Sequence, residues 1–163
     1  MPVLSKPLRR RTKPPSTAHD DLGPPLNSRA VTRRPALKAL LIASAGNHTK
    51  GQTLLTPHRD ARAWREILIS LYGYEACDIT MMLDDRDETL SDPGRAHLVP
   101  LKENIIAQIR KFVAGAQPGD RFMFYYNGHG VQIETQDKDE EDGWDEAIVP
   151  YAPDGKADHI LDD

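Results

Sequence analysis

Five consecutive apolar residues, Ala39-Leu40-Leu41-Ile42-Ala43, constrain the fold more than any other stretch of this chain. A strand with one face in water alternates apolar and polar positions, so an unbroken apolar run this short belongs to a strand covered on both faces. Such cover needs helices above and below, and the sequence supplies them in alternation. Thr56-Pro57 reads as N-cap and first helical residue, Ala61, Trp64, Leu68 and Leu71 form one stripe, and Gly73 is the stop. Cys77 to Leu83 predicts a second strand, weakened by Asp78, and Asp84 to His97 a long acidic loop. Pro100 opens a second helix with a stripe of Leu101, Ile105, Ile109 and Phe112 or Val113, ended by Gly115 and Pro118-Gly119-Asp120. Arg121–Tyr126 is the third strand, and Ala147-Ile148-Val149 starts a further strand or a small hairpin. Strand, helix, strand, helix, strand implies parallel strands with right-handed crossovers in an open α/β sheet.

The first 36 residues do not share this pattern. They hold seven of the thirteen prolines and carry eight Lys/Arg against two Asp, a balance of +6. The other residues carry thirteen against twenty-three, a balance of −10, so the net charge of −4 hides a basic extension on an acidic domain. Residues 1–36 are therefore expected to be a disordered, solvated extension, with Arg9-Arg10-Arg11 and Lys13 as a nuclear-import or anionic-surface patch. The single cysteine, Cys77, excludes an internal disulfide framework and fits a reducing compartment. No apolar run is long enough to span a membrane or form a secretory core. The expected location is the cytoplasm, with the nucleus as a second address, and neither membrane nor nucleic-acid partners are expected.

The chemistry concentrates where the third strand ends, in Tyr125-Tyr126-Asn127-Gly128-His129-Gly130. Strand ends of parallel sheets face the crevice where ligands are handled. Histidine moves protons near neutral pH, and flanking glycines let the chain turn and a substrate approach closely. An incidental histidine in a tight turn is the plain alternative. Asn127 reads first as a turn residue, Trp64 as core, and Asp60 as a first-turn acid that complements the helix dipole. The functional alternative for Asp60 is a recognition carboxylate for a cationic group. Cys77 reads as a small, half-buried residue. His48, His58, His97 and His159 lack metal-ligand spacing with each other.

Residues 137–146 place seven carboxylates beside one lysine. That density of charge needs solvent, cations or a basic partner. An EF-hand alignment on Gly143 fails, because it puts Lys138 at the first ligand position and Val149 at the last. A different Ca²⁺ site, with Asp145 meeting Asp162 and Asp163, stands beside the simpler reading of a solvated acidic loop. A nucleotide site of the Gly-x-Gly-x-x-Gly type is not supported, since Ala45-Gly46-Asn47-His48 supplies one glycine after the first strand.

Several of these segments occur together, in order, in one family. Thr-Pro-His-Arg-Asp-Ala-Arg (56–62), Leu83-Asp84-Asp85, Tyr126-Asn127-Gly128-His129-Gly130, Asp139 to Ala147 (Asp-Glu-Glu-Asp-Gly-Trp-Asp-Glu-Ala) and Ile160-Leu161-Asp162-Asp163 resemble the caspase-like cysteine peptidases, most closely the type I metacaspases. The resemblance covers residues 37–163. It implies a three-layer α/β/α fold with a mostly parallel sheet, here cut to its first three or four strands. It also implies endopeptidase cleavage of polypeptides after Arg or Lys, with dependence on Ca²⁺. His129 matches the catalytic histidine, Asp60 and Asn127 the pocket for the basic side chain, and Asp145, Asp162 and Asp163 the calcium-binding acids. Backbone N–H groups near Gly130 are candidates for the oxyanion.

Two departures accompany the resemblance. Pro57 stands where the family usually has the cysteine of a Cys-x-x-Asp. The Asp-x-Cys-His-Ser-Gly segment that carries the nucleophile does not occur in the thirty-four residues after His129. The chain also stops without a capping element after Ile160-Leu161-Asp162-Asp163. The expectation is an incomplete peptidase domain, inactive alone, with a C-terminal half or a full-length relative as partner. The rival class is a non-catalytic binding module that keeps the fold and pairs through an open sheet edge.

Overall fold

The computed structural model describes residues 33–46, 53–134, 143–156 and 158–161. Expectations for residues 1–32, His48, residues 137–142, Asp162 and Asp163 lie outside them. The central strand β1, Leu37–Ala43, runs parallel to β2, Ile79–Leu83, on one side and β3, Arg121–Asn127, on the other. Helix α1, Pro57–Tyr72, packs on one face and helix α2, Lys102–Val113, on the other. The alternation along β1 decides which residue meets which helix. Ala39 and Leu41 pack with Leu68, Ala43 packs with Ala61, and Leu40 and Ile42 meet Ile105. Burying Leu40, Leu41 and Ile42 contributes about 1.5–3 kcal/mol each. The fold is therefore the three-layer α/β/α arrangement that the unbroken apolar run predicts.

A second, antiparallel sheet in the order β4-β5-β6 follows, formed by Gly130–Glu134, Trp144–Ile148 and Ile160–Leu161. The segment 147–149 thus belongs to a hairpin, with β5 as its second strand. No helix among the described residues is long and apolar enough to cross a membrane.

Local competition moves several boundaries. The second strand starts at Ile79 rather than Cys77, because Asp78 turns its carboxylate onto the Glu75 N–H (3.0 Å) and caps a 3₁₀ turn over Ala76–Asp78. Cys77 is consequently exposed, not half-buried. The acidic loop contains a 3₁₀ turn, Pro93–Leu98, started by Asp92 accepting from Gly94 N at 2.8 Å. The second helix begins at Lys102, after a buried Pro100. Leu71 departs from its predicted stripe: it is 76% exposed in the last turn of α1. Gly73 does stop that helix, with φ of 75°.

One buried carboxylate joins β1, β2 and α1. Asp84, directly after β2, accepts hydrogen bonds from Ser44 Oγ (3.1 Å), Ala45 N (2.9 Å) and Gly46 N (3.2 Å), and it pairs with His58 Nε2. Burial pushes its pKa up, but the His58 bond and the two N–H groups outweigh that and leave it below the ordinary carboxylate value. Its neighbour Asp85 binds Arg62 of α1. Asp84→Ala, which strands these donors, is expected to cost about 3–5 kcal/mol in urea unfolding. Because the folded pKa is depressed, the carboxylate's contribution is complete above about pH 5 and fades as pH falls below about 3.9. The stability gap between wild type and Asp84→Asn should therefore narrow in acid, and a gap constant down to pH 3 would contradict this account.

Candidate functional site at the strand mouth

Ala43, Leu83 and Asn127 stand level in the parallel register, so β1, β2 and β3 all open at one edge. Ser44 N donates to Asn127 O at 2.9 Å and links two of these exits. Between Asn127 and His129 the chain passes close to other groups. A Cβ on Gly128 would lie 2.4 Å from Tyr126 Oη and 3.2 Å from Ser44 O. Gly128 is thus demanded by crowding, not by a left-handed backbone, since neither it nor Gly130 has positive φ. A Cβ on Gly130 would make only ordinary contact, 3.5 Å from Ala147 O.

The crowding hydroxyl holds the histidine's main chain. Tyr126 Oη lies 3.0 Å from His129 O and 2.8 Å from Val149 O, and its one proton serves these two acceptors. Val149 N also donates to His129 O, at 3.0 Å. Burial pushes the Tyr126 phenol up to about 12, with the Asp84 charge acting in the same direction, so it remains a donor at physiological pH. A cavity of about 580 Å³ opens beside this turn, lined by Tyr126, Gly128, Gly130, Gln132, Glu146 and Ile148.

The predicted residues fall into three groups. His129, Gly130, Asn127 and Asp60 gather at the mouth. Asn127 Nδ2 donates to Asp60 Oδ2 at 3.4 Å and to Tyr125 Oη at 3.1 Å, making Asn127 the last residue of a strand rather than a turn residue. The Asp60 carboxyl sits below its ordinary pKa, chiefly through a hydrogen bond from Thr56, with Arg59 and Asn127 contributing against some desolvation. Asp145 stands apart on β5. It is buried, and its Oδ1 has no hydrogen-bond partner among the described residues. Among the described residues no three His, Cys, Asp or Glu side chains converge as a metal site, and Asp162 and Asp163 lie outside those residues.

Cys77 is remote from the mouth. It precedes β2, whereas His129 follows β3, and the strands are parallel. Five residues of β2 alone put about 13 Å between the two ends of the sheet. Sequence reading missed Tyr126 and Asp84 as organisers of the site. Tyr126 was hidden in an apolar run, although a buried tyrosine hydroxyl needs a partner. Asp84 carried the one available signal, a carboxylate placed directly after an apolar strand.

The comparisons with known proteins agree with this architecture. The family model for the metacaspase, peptidase C14 domain matches residues 37–163. Metacaspase-1 of Cryptococcus neoformans var. neoformans serotype D is 44% identical over 105 residues, covering 64% of this chain and 21% of that protein. Metacaspase-1 of Candida glabrata is 35% identical over 150 residues, covering 91% of this chain and 36% of that protein. A crystal structure of a Geobacter sulfurreducens protein shares the fold, with a TM-score of 0.55 at 23% identity over 79% of this chain and 42% of that one. The chain spans well under half the length of these curated relatives.

Gly128→Ala tests the crowding at the turn. It is expected to lower stability by about 1–3 kcal/mol in urea unfolding, the usual cost of forcing a methyl into filled space. No measurable loss would mean that Tyr126 swings aside freely and does not clamp His129.

Proposed function

This chain belongs to the metacaspases of peptidase family C14, and on that premise we propose that its strand mouth is the histidine-bearing part of a cysteine endopeptidase that cleaves after Arg or Lys. The observation that carries the reading is His129, main chain held by Tyr126 and Val149, beside an open cavity and two residues from the Asp60–Asn127 pair. In this reading a cysteine outside these 163 residues gives its proton to the His129 imidazole. The thiolate attacks the scissile carbonyl, N–H groups near Gly130 meet the oxyanion, and the imidazolium returns the proton to the leaving amine. Water then cleaves the acyl-enzyme. Asp60 with Asn127 receives the basic side chain of the substrate, because a half-buried carboxylate pairs well with a cation. In this reading Cys77, at the far end of the sheet, is not the nucleophile. Residues 1–36 serve as a pro-segment, and the cytoplasm or nucleus is the place of action.

The residues present fit a calcium ion in one respect. The buried, unpartnered Asp145 Oδ1 is a hard oxygen whose desolvation nothing offsets within the described residues. Asp145 would be one ligand, with Asp162 and Asp163 as the others, and the ion's charge would organise the second sheet. A second reading, the non-catalytic partner module, draws on the edge of β3: among the described residues it pairs with β1 alone, and Phe124 is 46% exposed on it.

Two measurements test this. Residues 37–163 joined to the cysteine-bearing half of a fungal metacaspase-1 should hydrolyse Arg- and Lys-ended reporter peptides, and His129→Ala should reduce the rate by about 10²–10⁴-fold. The 163-residue chain alone should show no turnover, and any turnover abolished by Cys77→Ala would refute the reading. Separately, millimolar Ca²⁺ should raise the melting temperature of the wild-type chain and not that of Asp145→Ala. Equal shifts would remove Asp145 from the site.

A further inference from the structure

Asp60 is already holding a guanidinium. Arg59, its neighbour in sequence, reaches Asp60 Oδ1 through Nη2 at 3.1 Å and through Nε at 3.2 Å. Both donors converge on one oxygen, so the pair is not the two-oxygen fork that an arginine makes at its best. The other oxygen, Oδ2, faces Asn127 at 3.4 Å, the long end of the hydrogen-bond range. The Arg59 side chain is 77% exposed, and among the described residues its hydrogen bonds go to Asp60. The carboxylate thus presents one oxygen engaged by a cation of its own chain and one reached at long range by an amide, with the Thr56 hydroxyl as a further donor.

These two oxygens are not equally open to an incoming cation. An ammonium is a point charge that binds a single oxygen, so it can take Oδ2 without expelling Arg59. A guanidinium binds best across both oxygens, and to do so it must first expel Arg59. We propose that Arg59 is a specificity-determining residue, an internal competitor at Asp60 that biases the pocket toward lysine-type side chains over arginine-type ones. This rests on the reading of Asp60 as the recognition carboxylate. It adds a discrimination between two cations that the reading treats alike.

The experiment needs no nucleophile and uses the 163-residue chain. Isotope-labelled wild type, Arg59→Ala and Asp60→Asn are titrated by NMR with n-butylguanidine and with n-pentylamine at one fixed ionic strength. Wild type is expected to bind the amine at least as well as the guanidine. Arg59→Ala is expected to bind the guanidine about two- to fivefold tighter, in line with the modest strength of an exposed ion pair, and to improve less for the amine. Asp60→Asn should lose both. If Arg59→Ala changes both probes equally or neither, while Asp60→Asn still loses both, Arg59 is no discriminator and Asp60 keeps its role. If Asp60→Asn binds like wild type, or if Arg59→Ala binds neither probe, both readings fall.

Discussion

Asp84 is the interaction on which the rest of the strand mouth depends. A parallel sheet delivers three chain exits to one edge, and each exit presents backbone groups that have lost their ladder partners. Here one carboxylate absorbs that problem for two exits. It accepts from Ala45 and Gly46 as they leave β1, closes β2 from its own position, and reaches His58 in the first turn of α1. The β1 exit, held in this way, then donates from Ser44 N to Asn127 O and sets Ser44 O against Gly128. The histidine turn is therefore built on a loop whose course a buried acid fixes. Asp84 thus connects to the His129 turn through the β1 exit without contacting the histidine in any of these bonds.

The parts of this arrangement that were legible beforehand are those governed by periodicity. β1 was readable because five apolar residues in a row have one physical meaning, and both helices were readable because Leu68 and Ile105 repeat on stripes that meet it. Boundaries were less legible where a side chain competes with the backbone. Asp78 shortened β2 by capping a turn, and Asp92 organised 3₁₀ structure inside a loop. Such outcomes depend on hydrogen bonds that form only once the neighbours are placed. The candidate site divides in the same way. His129 and its glycines stood out by composition at a strand end. The reason for Gly128 did not, because it lies in a tyrosine two residues earlier that folds back over it.

The residues around His129 also separate fixed from adjustable parts. Tyr126 is half-buried, its phenol raised to about 12, and its hydroxyl lies against two carbonyl oxygens, so it stays protonated near neutral pH. Asp60 is half-buried, paired through an exposed arginine, and bridged to Asn127 by a long contact. Exchange of partners costs little there, whereas it costs a packed core at Tyr126. A mouth that must position a proton carrier rigidly and still admit and release a charged side chain needs both kinds of contact within a few residues.

Two buried aspartates make the remaining contrast. Asp84 and Asp145 are similarly enclosed, at 1% and 6% exposure, yet every Asp84 oxygen is engaged and Asp145 Oδ1 has no partner among the described residues. A buried acid with a full set of donors explains itself as structure. A buried acid lacking them imposes a desolvation cost that the described residues do not offset, and a chain can maintain such a residue only if something outside them compensates. Asp145 lies on β5 beside β6, whose last described residue, Leu161, precedes two further aspartates in sequence. Adding like charges would deepen the cost, whereas a cation would offset it. The unpartnered oxygen is thus the physical ground for proposing a cation at the second sheet, apart from any resemblance in sequence.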